Sequence, residues 1–196
     1  PPRRPQAAAP ARLTDTDGVQ LSHRVARAED LPALSALMGL AIDELQQGFL
    51  TEEQIAASRM IMGLDSQLVE DGTYFVVEAE GRLAGCGGWS RRATLYGGNQ
   101  TPGRDAALLD PRTDPARVRA MYTHPAFARR GVGRLVLQLS EQAAAAEGFT
   151  QLELMATLAG VPLYTAYGFE PVEELVDDRG GAPVPLVRMR KAVTRR

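Results

Sequence analysis

The sequence predicts an α/β (α+β) fold: a mixed, mostly antiparallel twisted sheet of six to seven strands flanked by about four helices, in a single domain over residues 21–196. Three observations lead there. Apolar residues switch between a period of two and a period of three to four, giving the order strand, two helices, three strands, helix, strand, helix, two strands. Consecutive strands with no helix between them pair antiparallel, whereas the strand-helix-strand unit over residues 117–156 needs a right-handed parallel crossover. The 196 residues, 44% hydrophobic and 23% charged, are enough for one core of that size.

Residues 1–20, with Pro1, Pro2, Pro5 and Pro10 around an alanine run, have no hydrophobic period and read as a flexible tail. Val25 and Ala26 belong to a first short strand. Asp30 is placed to cap a helix with Pro32 in its first turn, and Leu34, Leu37, Met38, Ala41, Ile42 and Leu45 form its apolar stripe. Thr51 and Gln54 make a capping-box pair ahead of a second helix carrying Ile55 and Ile61. Thr73 to Ala79 and Arg82 to Trp89 read as a β-hairpin about Glu80-Gly81. Residues 90–115, broken by Gly97, Gly98, Pro102, Gly103, Pro111 and Pro115, make a connection long enough to be expected beside a substrate.

A further strand alternates over residues 117–123 and stops before His124-Pro125. Val132, Leu135, Val136, Leu139 and Ala143 then trace a helix that ends at Gly148. Leu152 and Leu154 mark a strand, Pro162 to Tyr167 a short helix, and Phe169 to Glu174 and Val184 to Met189 the last two strands.

Lys plus Arg number 22 against 24 Asp plus Glu, a net charge of −2, so there is no basic footprint and no nucleic-acid partner is expected. No stretch approaches the roughly 20 apolar residues of a membrane span, and Pro1 to Pro10 lacks a signal-peptide core; no membrane partner and a cytoplasmic location are expected. Cys86, the single cysteine, cannot form an internal disulfide or a cysteine-rich zinc site, and no metal is expected.

The strongest chemical signal is the turn Arg129-Arg130-Gly131-Val132-Gly133-Arg134 between a strand and an amphipathic helix. Such a turn brings free backbone N–H groups and the positive end of a helix to one point, and the glycines and arginines suit a phosphate. A Walker loop is excluded because no Lys-Ser or Lys-Thr follows, and a dinucleotide fingerprint because Val136 stands where a small residue is needed. Alone, the turn leaves open a plain solvated loop.

The run Met121-Tyr122-Thr123-His124-Pro125-Ala126-Phe127-Ala128 into that turn, then a helix, Leu152-Glu153-Leu154, and Leu163-Tyr164 up to Gly168-Phe169, resembles the GNAT superfamily of N-acetyltransferases. The resemblance spans about residues 21–191, with its specific motifs between Met121 and Phe169. It implies acetyl-coenzyme A as co-substrate, its pyrophosphate on the amides of Arg129, Arg130, Gly131, Val132, Gly133 and Arg134. Ala128 departs from the Gln or Arg that opens the family's loop, leaving Arg129 or Arg130 to substitute. The resemblance further implies that the backbone of Met121, Tyr122 and Thr123 pairs with the pantetheine arm. Thr157 then lies near the cofactor, and Tyr164 gives a proton to the departing thiolate.

The acceptor implied is a small-molecule or peptide amine, attacked directly in a ternary complex; a homodimer through the final strands is a further expectation. The other class kept open is a catalytically inactive coenzyme A-binding sensor or interaction module, because no carboxylate occurs from Ala116 to Thr123. Glu153, on the neighbouring strand, is the candidate base acting through water. His124 before a proline is a structural residue, and Cys86 and Trp89 suit an acceptor wall better than nucleophilic chemistry.

Overall fold

A computed structural model describes residues 12–14 and 20–194. Among the described residues eight strands form one sheet in the order β1-β2-β3-β4-β5-β6-β8-β7. They are β1 (Arg12–Thr14), β2 (Gln20–Val25), β3 (Tyr74–Ala79), β4 (Arg82–Ser90), β5 (Ala116–Thr123), β6 (Gln151–Thr157), β7 (Glu170–Asp177) and β8 (Val184–Ala192). Five α-helices of the described residues accompany them: α1 (Leu31–Leu45), α2 (Glu52–Ile61), α3 (Ser66–Glu70), α4 (Val132–Ala146) and α5 (Val161–Tyr167). Every strand pair is antiparallel except β5 with β6, the pair joined through α4.

Two elements exceed the sequence reading. Within the stretch read as a tail, Arg12–Thr14 pair with Gln20–Ser22 as an edge strand; the rest of the tail reading lies outside the described residues. The five residues of α3 are too few to display a period, and Asp65 caps them by accepting from the Gln67 N–H. Asp30 also acts one turn earlier than expected. Its carboxylate accepts from the Arg27 N–H at 2.7 Å, closing a 3-10 turn over Ala28–Asp30 before α1 begins. The Thr51 and Gln54 capping box forms as read, at 3.2 and 3.0 Å.

Alternate sheet positions feed two cores. On one face α1 packs Leu34, Leu37, Met38 and Ile42 against Tyr74, Val76, Cys86 and Tyr122. On the other, α4 packs Val132, Leu135 and Val136 against Val77, Ala79 and Ala84. The approach of α4 depends on glycine in β4: a Cβ on Gly85 would fall 2.4 Å from Val132 Cγ1, and one on Gly87 2.7 Å from Val136 Cγ1. This close seating fixes the amino end of α4 at the carboxyl end of β5.

Candidate functional site

β5 and β6 hold together at only two rungs, Ala116 with Leu152 and Arg117 with Glu153, and then diverge toward Thr123 and Thr157. The bottom of the gap is closed by an ion pair between Arg117 and Glu153, with Arg190 on the other carboxylate oxygen at 2.7 Å. Above it β5 bulges. Arg119 pairs with Gly88 and Tyr122 with Cys86, so Ala120 and Met121 together face Gly87. Ala120 takes a φ of 48°, a conformation that costs a non-glycine residue about 1–3 kcal/mol, and the buried Tyr74 hydroxyl donates to its carbonyl at 2.6 Å.

Past Thr123 the chain turns through a 3-10 turn, Pro125–Phe127, in which His124 Nδ1 accepts from the Ala126 N–H at 3.1 Å. His124 is thus a cap. Arg129 (φ 65°) and Gly131 (φ 80°) are both left-handed, and Gly131 caps α4 without any side-chain hydrogen bond. The backbone N–H groups of Arg129 to Arg134 have no acceptor among the described residues. Six consecutive donors without a protein acceptor therefore lie at the positive end of a 15-residue helix.

In front of these donors lies a cleft of about 600 Å³. Met121, Tyr122 and Thr123 form one wall, and Arg129, Gly131, Val132, Gly133 and Arg134 form its end. Thr157 and Tyr164 line the side toward β6, and Ile42, Leu45 and Phe49 close it from α1 and the turn after it. Gly133 has a packing duty as well, since a Cβ there would meet Leu163 Cδ2 of α5 at 2.6 Å.

Two candidates fall outside the cleft. Arg130 does not line it; its guanidinium lies 5.8 Å from the centre of the Phe127 ring, opposite the expectation that it contacts the phosphates by its side chain. Glu153 is 2% exposed, lines neither cavity, and has both oxygens taken by Arg117 and Arg190, so it is not a base in the gap but the closure of its floor. Its partners come from strands 36 and 37 residues away, which strand alternation does not reveal.

A second, narrower chamber of about 90 Å³ opens behind the gap, between Val118 to Tyr122 of β5 and Leu154 and Met155 of β6. The long connection supplies Leu95, Tyr96 and Gly97, and the turn after α2 supplies Met62 and Gly63. Met62, Met121, Tyr122, Thr157 and Tyr164 line both cavities. Tyr164 is held edge-on against Phe169 at 6.0 Å, and burial pushes its phenol up to about 12. No described residue hydrogen-bonds its hydroxyl. Tyr122 is spoken for: its hydroxyl accepts from the Gly63 N–H at 2.8 Å.

Sequence reasoning missed the polar frame of this chamber. Arg119, 3% exposed, pairs with Asp65 at 2.9 Å and donates to the carbonyls of Thr94 and Gly97 at 3.0 and 2.7 Å, tying the connection to β5. Arg104 shares Asp65, and the Tyr96 hydroxyl donates to Asp177 at 2.9 Å. Arginines scattered through a glycine-rich connection carry no periodic signal, so nothing in the sequence pointed to these pairs. Cys86 is buried with its thiol pushed up to about 12, which leaves it a packing residue.

The sequence profile of the acetyltransferase (GNAT) domain matches residues 70–171, just over half of the chain. No curated protein sequence matches. Among solved structures, a GCN5-related N-acetyltransferase from Rhodopseudomonas palustris superposes with a TM-score of 0.65 at 18% identity, covering 93% of this chain and 98% of that one. The PaiA N-acetyltransferase of Thermoplasma acidophilum, in complex with coenzyme A, gives 0.58 at 15% identity over 88% of this chain and 98% of its own. YncA of Salmonella typhimurium, solved with its cofactor acetyl-CoA, gives 0.59 at 16% over 90% and 95%. These likenesses extend the fold over nearly the whole chain, and the matched profile covers the bulged strand, the amide cradle and α5; the chain belongs to the GNAT superfamily of acetyltransferases and is an acyltransferase.

Proposed function

We propose that the chain moves an acetyl group from acetyl-coenzyme A to a primary amine by direct attack within a ternary complex. The observation that carries this reading is Tyr164, whose side chain lines both the cleft and the narrower chamber. The residues fit coenzyme A: six amides without protein acceptors suit a pyrophosphate, and the edge of β5 left unpaired beyond Arg117 suits a slender arm bearing amide groups. Acetyl-coenzyme A supplies the activated acyl group as a thioester.

The chain's own residues then do three things. The amides of Arg129 to Arg134, with Arg134 beside them, hold the anionic end. The backbone of Met121 to Thr123 orients the arm so that the thioester lies at the gap. Tyr164 gives its phenolic proton to the sulfur as the C–S bond breaks and the C–N bond forms, and the proton shed by the nitrogen restores the phenol, so the exchange balances without a metal step or covalent enzyme intermediate.

Free thiol released from acetyl-coenzyme A in the presence of a panel of amines tests the reading. Amine-dependent release supports it; saturable coenzyme A binding with no release from any amine would instead favour a coenzyme A-binding module.

A further inference from the structure

The narrow chamber is charged in one sense. Its only formally charged lining side chain is Arg119. The carboxylates packed around it are already engaged: Asp65 by Arg119 and Arg104, Glu153 by Arg117 and Arg190, and Asp177 by Arg179, which also stacks 5.4 Å over Tyr96. Each of these three carboxylates is thus held by at least one guanidinium, and none of them lines the chamber. The remaining lining is uncharged: Ile61, Leu95, Leu154, Met155 and Leu186 are apolar, and the hydroxyls of Tyr96, Thr157 and Tyr164 carry no charge to offset that of a cation.

We infer that the acceptor enters as the neutral free base of a weakly basic amine, of the α-amino class, and that strongly basic alkylamines such as a lysine side chain are poor acceptors. This rests on the acetyltransferase reading above and specifies its second substrate. An ammonium ion in this chamber would give up its water for uncharged walls and the Arg119 guanidinium, with no free carboxylate to offset its charge. The fraction already neutral in solution therefore governs delivery. At pH 7 an α-amine with pKa about 7.7–8.0 is roughly 10–15% neutral, whereas an ε-amine with pKa about 10.4 is neutral in about 1 molecule in 2,500, a difference of more than about 200-fold. The greater nucleophilicity of the ε-amine offsets part of that ratio.

The test measures kcat/KM at pH 7 for alaninamide and for Nα-acetyl-lysinamide with saturating acetyl-coenzyme A, and locates the acetyl group on lysinamide by mass spectrometry. The expected result is at least about a tenfold preference for alaninamide and acetylation of lysinamide at its α nitrogen. Equal or faster ε-acetylation overturns the inference and leaves the acetyltransferase reading standing. Thiol release from other amines of the panel but from neither of these overturns the inference alone, and coenzyme A binding with no release from any amine overturns both. Met155→Glu, at a partly exposed lining position, adds a carboxylate to the wall; it should narrow the preference by about tenfold, and an unchanged ratio would remove the electrostatic account.

Discussion

The hydroxyl of Tyr74 on β3 reaches across β4 to the carbonyl of Ala120 on β5, at 2.6 Å, and holds the one strand residue that sits at a positive φ on the gap. The bulge this secures swings Met121 to Thr123 away from β6 and exposes their edge. Tyr74→Phe keeps the ring in its core and strands the Ala120 carbonyl. It should cost about 1–2 kcal/mol, read as a fall in Tm of several degrees, together with a higher KM for acetyl-coenzyme A. A variant with unchanged Tm and unchanged KM would show that the bulge stands without its hydroxyl prop.

Glu153→Gln tests the floor of the gap. Removing this charge leaves Arg117, which is 15% exposed and whose guanidinium pKa burial already lowers, without its principal partner. Breaking a buried pair from one side costs about 3 kcal/mol or more, so urea denaturation should give a clearly lower midpoint. Were Glu153 the base instead, kcat would collapse while the midpoint stayed put.

Much of this architecture is legible locally. The Glu80-Gly81 turn, with φ of 53° and 72°, and the left-handed Gly148 and Gly168 end their elements where residue type alone places them, because those conformations are set by the absence or tolerance of a Cβ. The glycine turn entering an apolar helical stripe was readable in the same way, although the turn alone also suited a plain solvated loop. What escaped was long-range pairing. Whether Glu153 meets water or Arg117 depends on the register of strands 36 residues apart, and Arg130 and Arg134 look alike in sequence, each with its guanidinium over a ring, Phe127 at 5.8 Å and Tyr167 at 5.9 Å, although only Arg134 lines the cleft. The chamber's frame, Asp65 with Arg104 and Arg119, joins three separate segments and leaves no periodic trace.

That difference between neighbouring arginines predicts divergent variants. Arg134→Glu places a carboxylate at the end of the cleft and should raise the Kd for acetyl-coenzyme A by about tenfold or more, whereas Arg130→Glu should change it no more than about twofold. Isothermal titration with coenzyme A separates the two, and equal losses would mean that both side chains reach the phosphates.

Acid should release the long connection early. The Asp71 carboxyl is held below its ordinary pKa chiefly by the hydrogen bonds from Arg92, at 2.7 and 2.8 Å. A carboxyl whose pKa is lower in the folded than in the unfolded chain contributes stability that is complete above the unfolded value, about pH 4, and disappears as pH falls through the lower folded value. Asp71→Asn should therefore have a lower Tm than the parent at pH 7, with the gap closing below about pH 4. A gap that stays constant from pH 7 to pH 3 would show that the ion pair adds nothing to folding.

Tyr164 carries the sharpest prediction, because its two roles, wall and proton donor, separate on removing one oxygen atom. Tyr164→Phe retains the ring against Phe169 and the shape of both cavities, so the Kd for coenzyme A should stay within about twofold while kcat falls by on the order of 10²-fold. Burial pushes the phenol up to about 12, which keeps it protonated through the neutral and mildly alkaline range. The parent's kcat should accordingly show no loss between pH 7 and pH 10 that the phenylalanine variant lacks. A variant with full kcat would leave Tyr164 as packing alone, and the proton for the departing sulfur would then have to come from water.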